Sequence, residues 1–259
     1  MTDQIIEVNG ISKIYESAGG TDYCKALNNV NLDFPRGTLT SLLGPSGCGK
    51  TTLLKIVAGL IESTEGEVRI QGKKIEGPGP ERAFVFQDFA LLPWANTLRN
   101  VAFGLELRGV PKAQRFKTAK KYIHQVGLSG FENNFPGELS GGMRQRVGLA
   151  RAMAVDSDIL LMDEPFASVD EQTRRKFQED LLELLKVEKK TVVFVTHSIE
   201  EAVYVSDRIV LLTPRPGTVM EILEPAVDHR SDDPEAARRT EAYLDCVDQL
   251  WGILKKYVD

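Results

Sequence analysis

Eight consecutive residues, Gly44-Pro45-Ser46-Gly47-Cys48-Gly49-Lys50-Thr51, carry the densest chemistry in this chain. The order Gly, four residues, Gly-Lys-Thr is that of a loop that cradles phosphate. Glycines let successive backbone N–H groups turn toward one anion. A helix that starts at this point adds its partial positive charge. Lys50 supplies a point charge for the β- and γ-phosphates of a nucleoside triphosphate, and the Thr51 hydroxyl suits magnesium. The flanks agree: Thr40 to Leu43 reads as a strand, and Thr52 to Ile56 as the helix that follows. Cys48 reads as a small residue within the loop.

A second signal is Ile159-Leu160-Leu161-Met162-Asp163-Glu164-Pro165, an apolar strand that ends in two adjacent carboxylates. Such a strand tip can place Asp163 beside magnesium and leave Glu164 to polarise an attacking water as general base. Two acids at a strand end are a weak signal alone and a strong one beside a phosphate loop. The third signal is Leu139-Ser140-Gly141-Gly142-Met143-Arg144-Gln145-Arg146. Ser-Gly-Gly before a helix makes an exposed N-terminus with free N–H groups. The same residues also make an ordinary helix cap on Ser140.

Together the three motifs resemble the ATP-binding-cassette (ABC) ATPases, whose signature Leu-Ser-Gly-Gly-Gln lies shortly before the acidic strand, as it does here. Met143 stands where that family has glutamine. The resemblance runs from about residue 4 to about residue 224, and it implies further roles. Tyr15 falls where the family stacks an aromatic ring on adenine. Gln87 falls where a glutamine senses magnesium and links to a helical lobe. Asp170, preceded by Val169 where leucine is usual, matches a loop that crosses the dimer interface. His197 matches a histidine that contacts the γ-phosphate. ATP would lie on residues 44–52 and Tyr15 of one copy. Ser140, Gly141, Gly142 and Asp170 of a second copy, or of a homologous ATPase subunit, would close the site. Lys50, Gln87, Glu164 and His197 would serve catalysis, with magnesium on Thr51, Gln87 and Asp163.

Finer features resemble the importer ATPases for nitrate, sulfonate, taurine and bicarbonate. They are the segment Phe89-Ala90-Leu91-Leu92-Pro93-Trp94 and the segment Leu212-Thr213-Pro214-Arg215-Pro216-Gly217. A cluster of exposed apolar residues on a loop marks a docking surface. The region from Gln87 to Trp94 is therefore expected to meet a separate membrane permease, which is served in turn by an extracytoplasmic solute-binding protein. Val101 and Leu105 are expected instead in the core. Rival readings are a soluble ABC ATPase outside transport, a non-enzymatic ATP-binding regulator and an exporter cassette. Glu164 and His197 oppose the regulator, and 259 residues leave no room for a long coiled coil or a second cassette.

These residues need a frame. Apolar β-branched runs alternate with helical patterns, which predicts an α/β fold with a mostly parallel sheet. Strands are expected at 5–14, 39–43, 67–70, 83–86, 159–162, 192–195 and 208–212. Helices are expected after Gly49 and Leu139 and near Thr97, Lys112, Asp170 and Ile199. The resemblance adds a P-loop NTPase core over 1–87 and 155–224, with an antiparallel β region at its start. The stretch 88–154 reads as mainly helical and interrupts the strand rhythm, as an inserted subdomain would, and a C-terminal extension covers 225–259. That extension reads as a polar loop from Asp228 to Pro234 and then helix to Tyr257. The basic run Lys112 to Lys121 reads as a solvated helix face.

Composition is that of a globular domain with a core, 42% hydrophobic and 27% charged. A net charge of -5 gives no reason to expect a nucleic-acid partner. Cys24, Cys48 and Cys246 are too scattered for a disulfide framework or a zinc site. No secretion signal and no apolar run of spanning length is visible, so the expected place is cytoplasmic, peripheral to the membrane through permease subunits.

Overall fold

The computed structural model describes residues 3–16, 23–167, 171–227 and 234–257. In chain order the elements begin with β1 (Gln4–Glu16), β2 (Tyr23–Pro35), β3 (Leu39–Leu43), α1 (Lys50–Ala58), β4 (Glu65–Ile70) and β5 (Lys73–Lys74). There follow β6 (Arg82–Val85), α2 (Thr97–Leu107), α3 (Lys112–Gln125), α4 (Gly141–Ala154), β7 (Ile159–Asp163) and α5 (Glu171–Glu188). The chain continues through β8 (Thr191–Val195), α6 (Ile199–Val205), β9 (Arg208–Leu212), β10 (Val219–Leu223), α7 (Pro234–Ala237) and α8 (Glu241–Leu254). Two compact units form: residues 1–79 with 189–259, and residues 80–188.

In the first unit, β3 is flanked in parallel by β8 and β9, and β10 runs antiparallel to β9. All five residues of β3 and of β8 are buried, the mark of strands covered on both faces. A separate antiparallel sheet has the order β2-β1-β4-β5. The long strand β2 is hidden in the sequence. Val30, Leu32 and Phe34 alternate inward, but Asn29, at φ 48, and shifts in register against β1 interrupt the period before them.

In the second unit, β6 and β7 pair in parallel, and helices α2, α3 and α4 pack on one another. Helix α5 turns Phe177, Leu181 and Leu184 inward, and Phe177 meets Phe166 edge to face at 5.2 Å. Val101 and Leu105 are buried as expected, at 0% and 8% exposure. On α3 the lysines at 112, 117, 120 and 121 face solvent. Asp170 lies outside the described residues. Pro234, read as the end of a polar loop, opens α7 instead. Proline suits a first helical turn, where its missing N–H is no loss. Among the described residues, no helix is long and apolar enough to cross a membrane.

Candidate functional site

The phosphate loop leaves the buried tip of β3 and enters α1. Gly49 caps that helix at φ 105. A Cβ there would stand 2.6 Å from Leu27 Cδ2 and 3.0 Å from Ala26 O, so space as well as torsion demands glycine. From the other side Gly217 presses on the loop: a Cβ on Gly217 would come 2.1 Å from Cys48 O. Gly217 is tied to β2 through Gly217 N to Ala26 O at 2.9 Å and Asn28 N to Gly217 O at 3.0 Å. The segment ending Pro216-Gly217 thus forms a wall of the phosphate loop.

Lys50 is buried, with its ammonium folded over the loop. It donates to Gly44 O at 2.7 Å and Pro45 O at 3.1 Å. No side chain caps α1. The dipole of the helix favours an anion at this end. Burial pushes the Cys48 thiol up, against the opposing pull of Lys50. The thiol stays neutral and fills space.

Two other predicted residues of this unit lie on described backbone. Tyr15 is 41% exposed on β1, and its hydroxyl lies 3.3 Å from Thr52 Oγ1 at the start of α1. The ring thus lies next to the phosphate loop, part exposed, with the Lys13 ammonium over it at 5.2 Å from the ring centre. His197 is exposed just beyond β8. Its turn is fixed by Thr196 Oγ1 donating to Glu201 at 2.6 Å and by Ser198 capping α6.

The second unit holds the acids. Asp163 ends β7 and is 5% exposed. Glu164 follows at φ 43, a left-handed conformation that costs a non-glycine residue on the order of 1–3 kcal/mol. Gln87, on the turn after β6, places Nε2 3.4 Å from Glu164 Oε2. The structure therefore brings Gln87, Asp163 and Glu164 together. Ser140 caps α4 through Met143 N at 3.3 Å, and Arg144 fixes the preceding residue by donating to Leu139 O at 2.7 Å. Ser140 is exposed, Gly141 and Gly142 are half-buried, and Met143 lies within the helix beyond them.

The segment from Phe89 to Trp94 is less exposed than its sequence suggests. Phe89 is 5% exposed, whereas Trp94 is 71% exposed. Left-handed backbone at Phe89 brings its side chain beside Gly148 of α4. Asn100 builds the rest. It is fully buried, its amide nitrogen donates to Leu92 O and Ala95 O at 3.1 and 2.8 Å, and its amide oxygen accepts from Leu92 N at 2.8 Å. Sequence reasoning gave Asn100 no structural role, did not single out Arg151, and did not foresee Gly217 as a wall of the phosphate loop. Only an asparagine inside an apolar helical stretch, which must find partners when buried, could have signalled the first.

Comparison with known proteins decides what these motifs belong to. The ABC transporter family model matches residues 27–167. The chain belongs to the ABC transporter family. An uncharacterised ABC transporter ATP-binding protein of Methanocaldococcus jannaschii is 49% identical over 98% of this chain and 92% of its own. The taurine import ATP-binding protein TauB of Escherichia coli K12 is 48% identical over 82% of each chain. A solved dimeric structure of a bacterial ABC transporter cassette aligns with TM-score 0.75 and 35% identity, covering 85% of this chain and 98% of that one. A post-hydrolysis state of an ATP-binding cassette bound to ADP and phosphate aligns at 0.74 and 34%, with the same coverage. The chain is an ABC ATPase with the P-loop NTPase fold that its motifs predicted, and its nucleotide is ATP.

Proposed function

We propose that this ATPase is the nucleotide-hydrolysing subunit of an importer. In this reading two copies close around ATP and drive uptake of a small anion, such as taurine, another sulfonate, nitrate or bicarbonate, through a separate permease. The observation that carries the ATPase chemistry is Glu164. It is a carboxylate held in left-handed backbone directly after the buried Asp163 and within 3.4 Å of the Gln87 amide. Strain of this kind at a strand tip is how a protein fixes a reacting group in advance. The importer class is supported by the taurine-import relatives and by Trp94, presented to solvent on a turn that a buried asparagine builds.

In this reading the phosphate loop binds the triphosphate through backbone N–H groups and Lys50. Tyr15 stacks on the base, and Ser140, Gly141, Gly142 and Asp170 of a second copy close over the γ-phosphate. Glu164 takes a proton from the attacking water, Gln87 orients that water, and His197 steadies the γ-phosphate. The Thr51 hydroxyl, the Asp163 carboxylate and the Gln87 amide are hard oxygen donors, a set that fits magnesium. Magnesium bound there would neutralise charge on the β- and γ-phosphates. The segment from residue 225 onward is a helical extension of the same domain. The whole subunit sits on the inner membrane face through permease contacts near Gln87 to Trp94. An extracytoplasmic binding protein delivers the solute.

The test is reconstitution with candidate permeases and binding proteins in vesicles. ATP-dependent uptake of one of these anions is expected, and it should vanish with Glu164→Gln. Active ATP hydrolysis with no permease-dependent uptake of any of them would sink the importer reading and leave the ATPase standing.

A further inference from the structure

Arg151 lies in the last turn of α4 and does something the phosphate chemistry does not ask for. Its two terminal nitrogens donate to Phe89 O at 2.6 Å and to Ala90 O at 2.7 Å. Phe89 and Ala90 are both left-handed, at φ 62 and φ 42. Neither side chain favours that conformation, and two such residues in succession persist only where their surroundings hold them. The guanidinium fork gives each of the two neighbouring carbonyl oxygens its own nitrogen in a fixed plane, whereas a lysine has one nitrogen to share between them. Among the described residues these carbonyls are its only hydrogen-bond partners. A half-buried charge is thus spent on main-chain oxygens of one turn. Burial lowers the Arg151 pKa and nearby Asp88 opposes the shift, so the guanidinium stays charged.

A second contact seats the same turn. Gly148 lies one helical turn before Arg151, and a Cβ there would stand 3.5 Å from Phe89 Cβ. Phe89 therefore packs beside the glycine while its carbonyl is held by the arginine. The clamped turn follows Gln87 directly and leads to exposed Trp94. At its other end α4 begins at the Ser140 cap. With a rise of 1.5 Å per residue, about 16 Å of continuous helix separates Ser140 from Arg151.

We propose that Arg151 is a positioning residue that fastens the Phe89-Ala90 turn to α4, so that Gln87 and the Trp94 face move with the Ser140-Gly141-Gly142 end of that helix. The coupling rests on the roles assigned to Gln87 and Ser140 above; the clamp itself does not. Helix α4 becomes a rod. One end meets the nucleotide of a second copy, and the other holds the segment that faces the permease. A displacement imposed at the signature reaches the docking turn without a chain of intermediate side chains.

The intact chain carrying Arg151→Lys or Arg151→Ala is compared with wild type by hydrogen exchange over residues 86–92 and by steady-state ATP hydrolysis. The Phe89 amide donates to Phe86 O at 3.0 Å, and loss of the fork should speed its exchange by about tenfold or more. Turnover should fall by about tenfold, with KM changed less than about twofold. Ala90→Gly removes the left-handed penalty at that position. The kcat loss caused by Arg151→Lys should therefore shrink in the Ala90→Gly background, whereas a merely structural arginine would give the same loss in both. Should Arg151→Ala fail to fold by circular dichroism, the lysine variant carries the comparison. Unchanged Phe89 exchange in folded Arg151→Lys overturns the clamp, and equal kcat losses with and without Ala90→Gly overturn its coupling to turnover. Gln87→Ala separates the two levels. If turnover ignores Gln87 while Arg151→Lys still frees Phe89, the catalytic role of Gln87 falls and the clamp stands.

Discussion

Two loops leave buried strand tips in this protein and are held by opposite means. The phosphate loop is fixed by what it lacks. A single added carbon would run into the Leu27 side chain and press on Ala26 O at Gly49, and would collide with the Cys48 carbonyl at Gly217. The turn from Gln87 to Trp94 is fixed by what reaches it: the Arg151 fork on Phe89 and Ala90, and the Asn100 amide on Leu92 and Ala95. The difference follows from the tasks. A loop that wraps an anion with main-chain N–H groups needs close backbone walls and no side chains in between. A loop that passes a displacement along needs handles, and polar side chains on carbonyl oxygens provide them.

The largest expected effect breaks the chemistry and spares both loops. Glu164→Gln should cut phosphate release by about a hundredfold or more while fluorescent ATP analogues still bind. A rate near wild type would remove Glu164 from the role of base. Next comes Lys50→Ala, which takes away the ammonium and its two carbonyl contacts. ATP affinity measured by calorimetry should fall by roughly ten- to a hundredfold, in line with about 1.5–3 kcal/mol for a charged hydrogen bond. Gly217→Ala sharpens the contrast, because it strikes the phosphate loop from outside. The Cys48 carbonyl must retreat, so ATP affinity should drop by about tenfold and the melting point by several degrees. Equal affinity would mean that the wall is not needed. The mildest change is Trp94→Ala. As an exposed residue it should leave the melting point within about a degree, whereas stimulation of ATP hydrolysis by the permease should disappear.

Much of this was legible in the sequence because the relevant signals are local. Gly44 to Thr51, Ser140 to Gly142, and Asp163 with Glu164 are short motifs whose backbone context is set by adjacent residues. The strands β3, β7 and β8 announce themselves as apolar runs because both faces are covered. What stayed hidden depends on distant partners. β2 was obscured by a bulge at Asn29 that makes sense only against β1. Phe89 looked like docking surface because nothing nearby in the chain reveals that its backbone turns left-handed and seats it beside Gly148. Arg151 sits among ordinary helix residues, and its partners lie sixty residues earlier.

The wall at Gly217 has a consequence for the order in which the molecule becomes competent. Residues 44–51 emerge from the ribosome early, yet their final shape leans on a glycine made long afterwards, in the second stretch of the first unit. Synthesis proceeds at roughly 5–20 residues per second, so the loop waits seconds for its last support. During that interval the nascent chain carries the full phosphate-binding sequence without the enclosure that makes it a receptor. Nucleotide capture is therefore expected only once Gly217 has been made and rests against the phosphate loop.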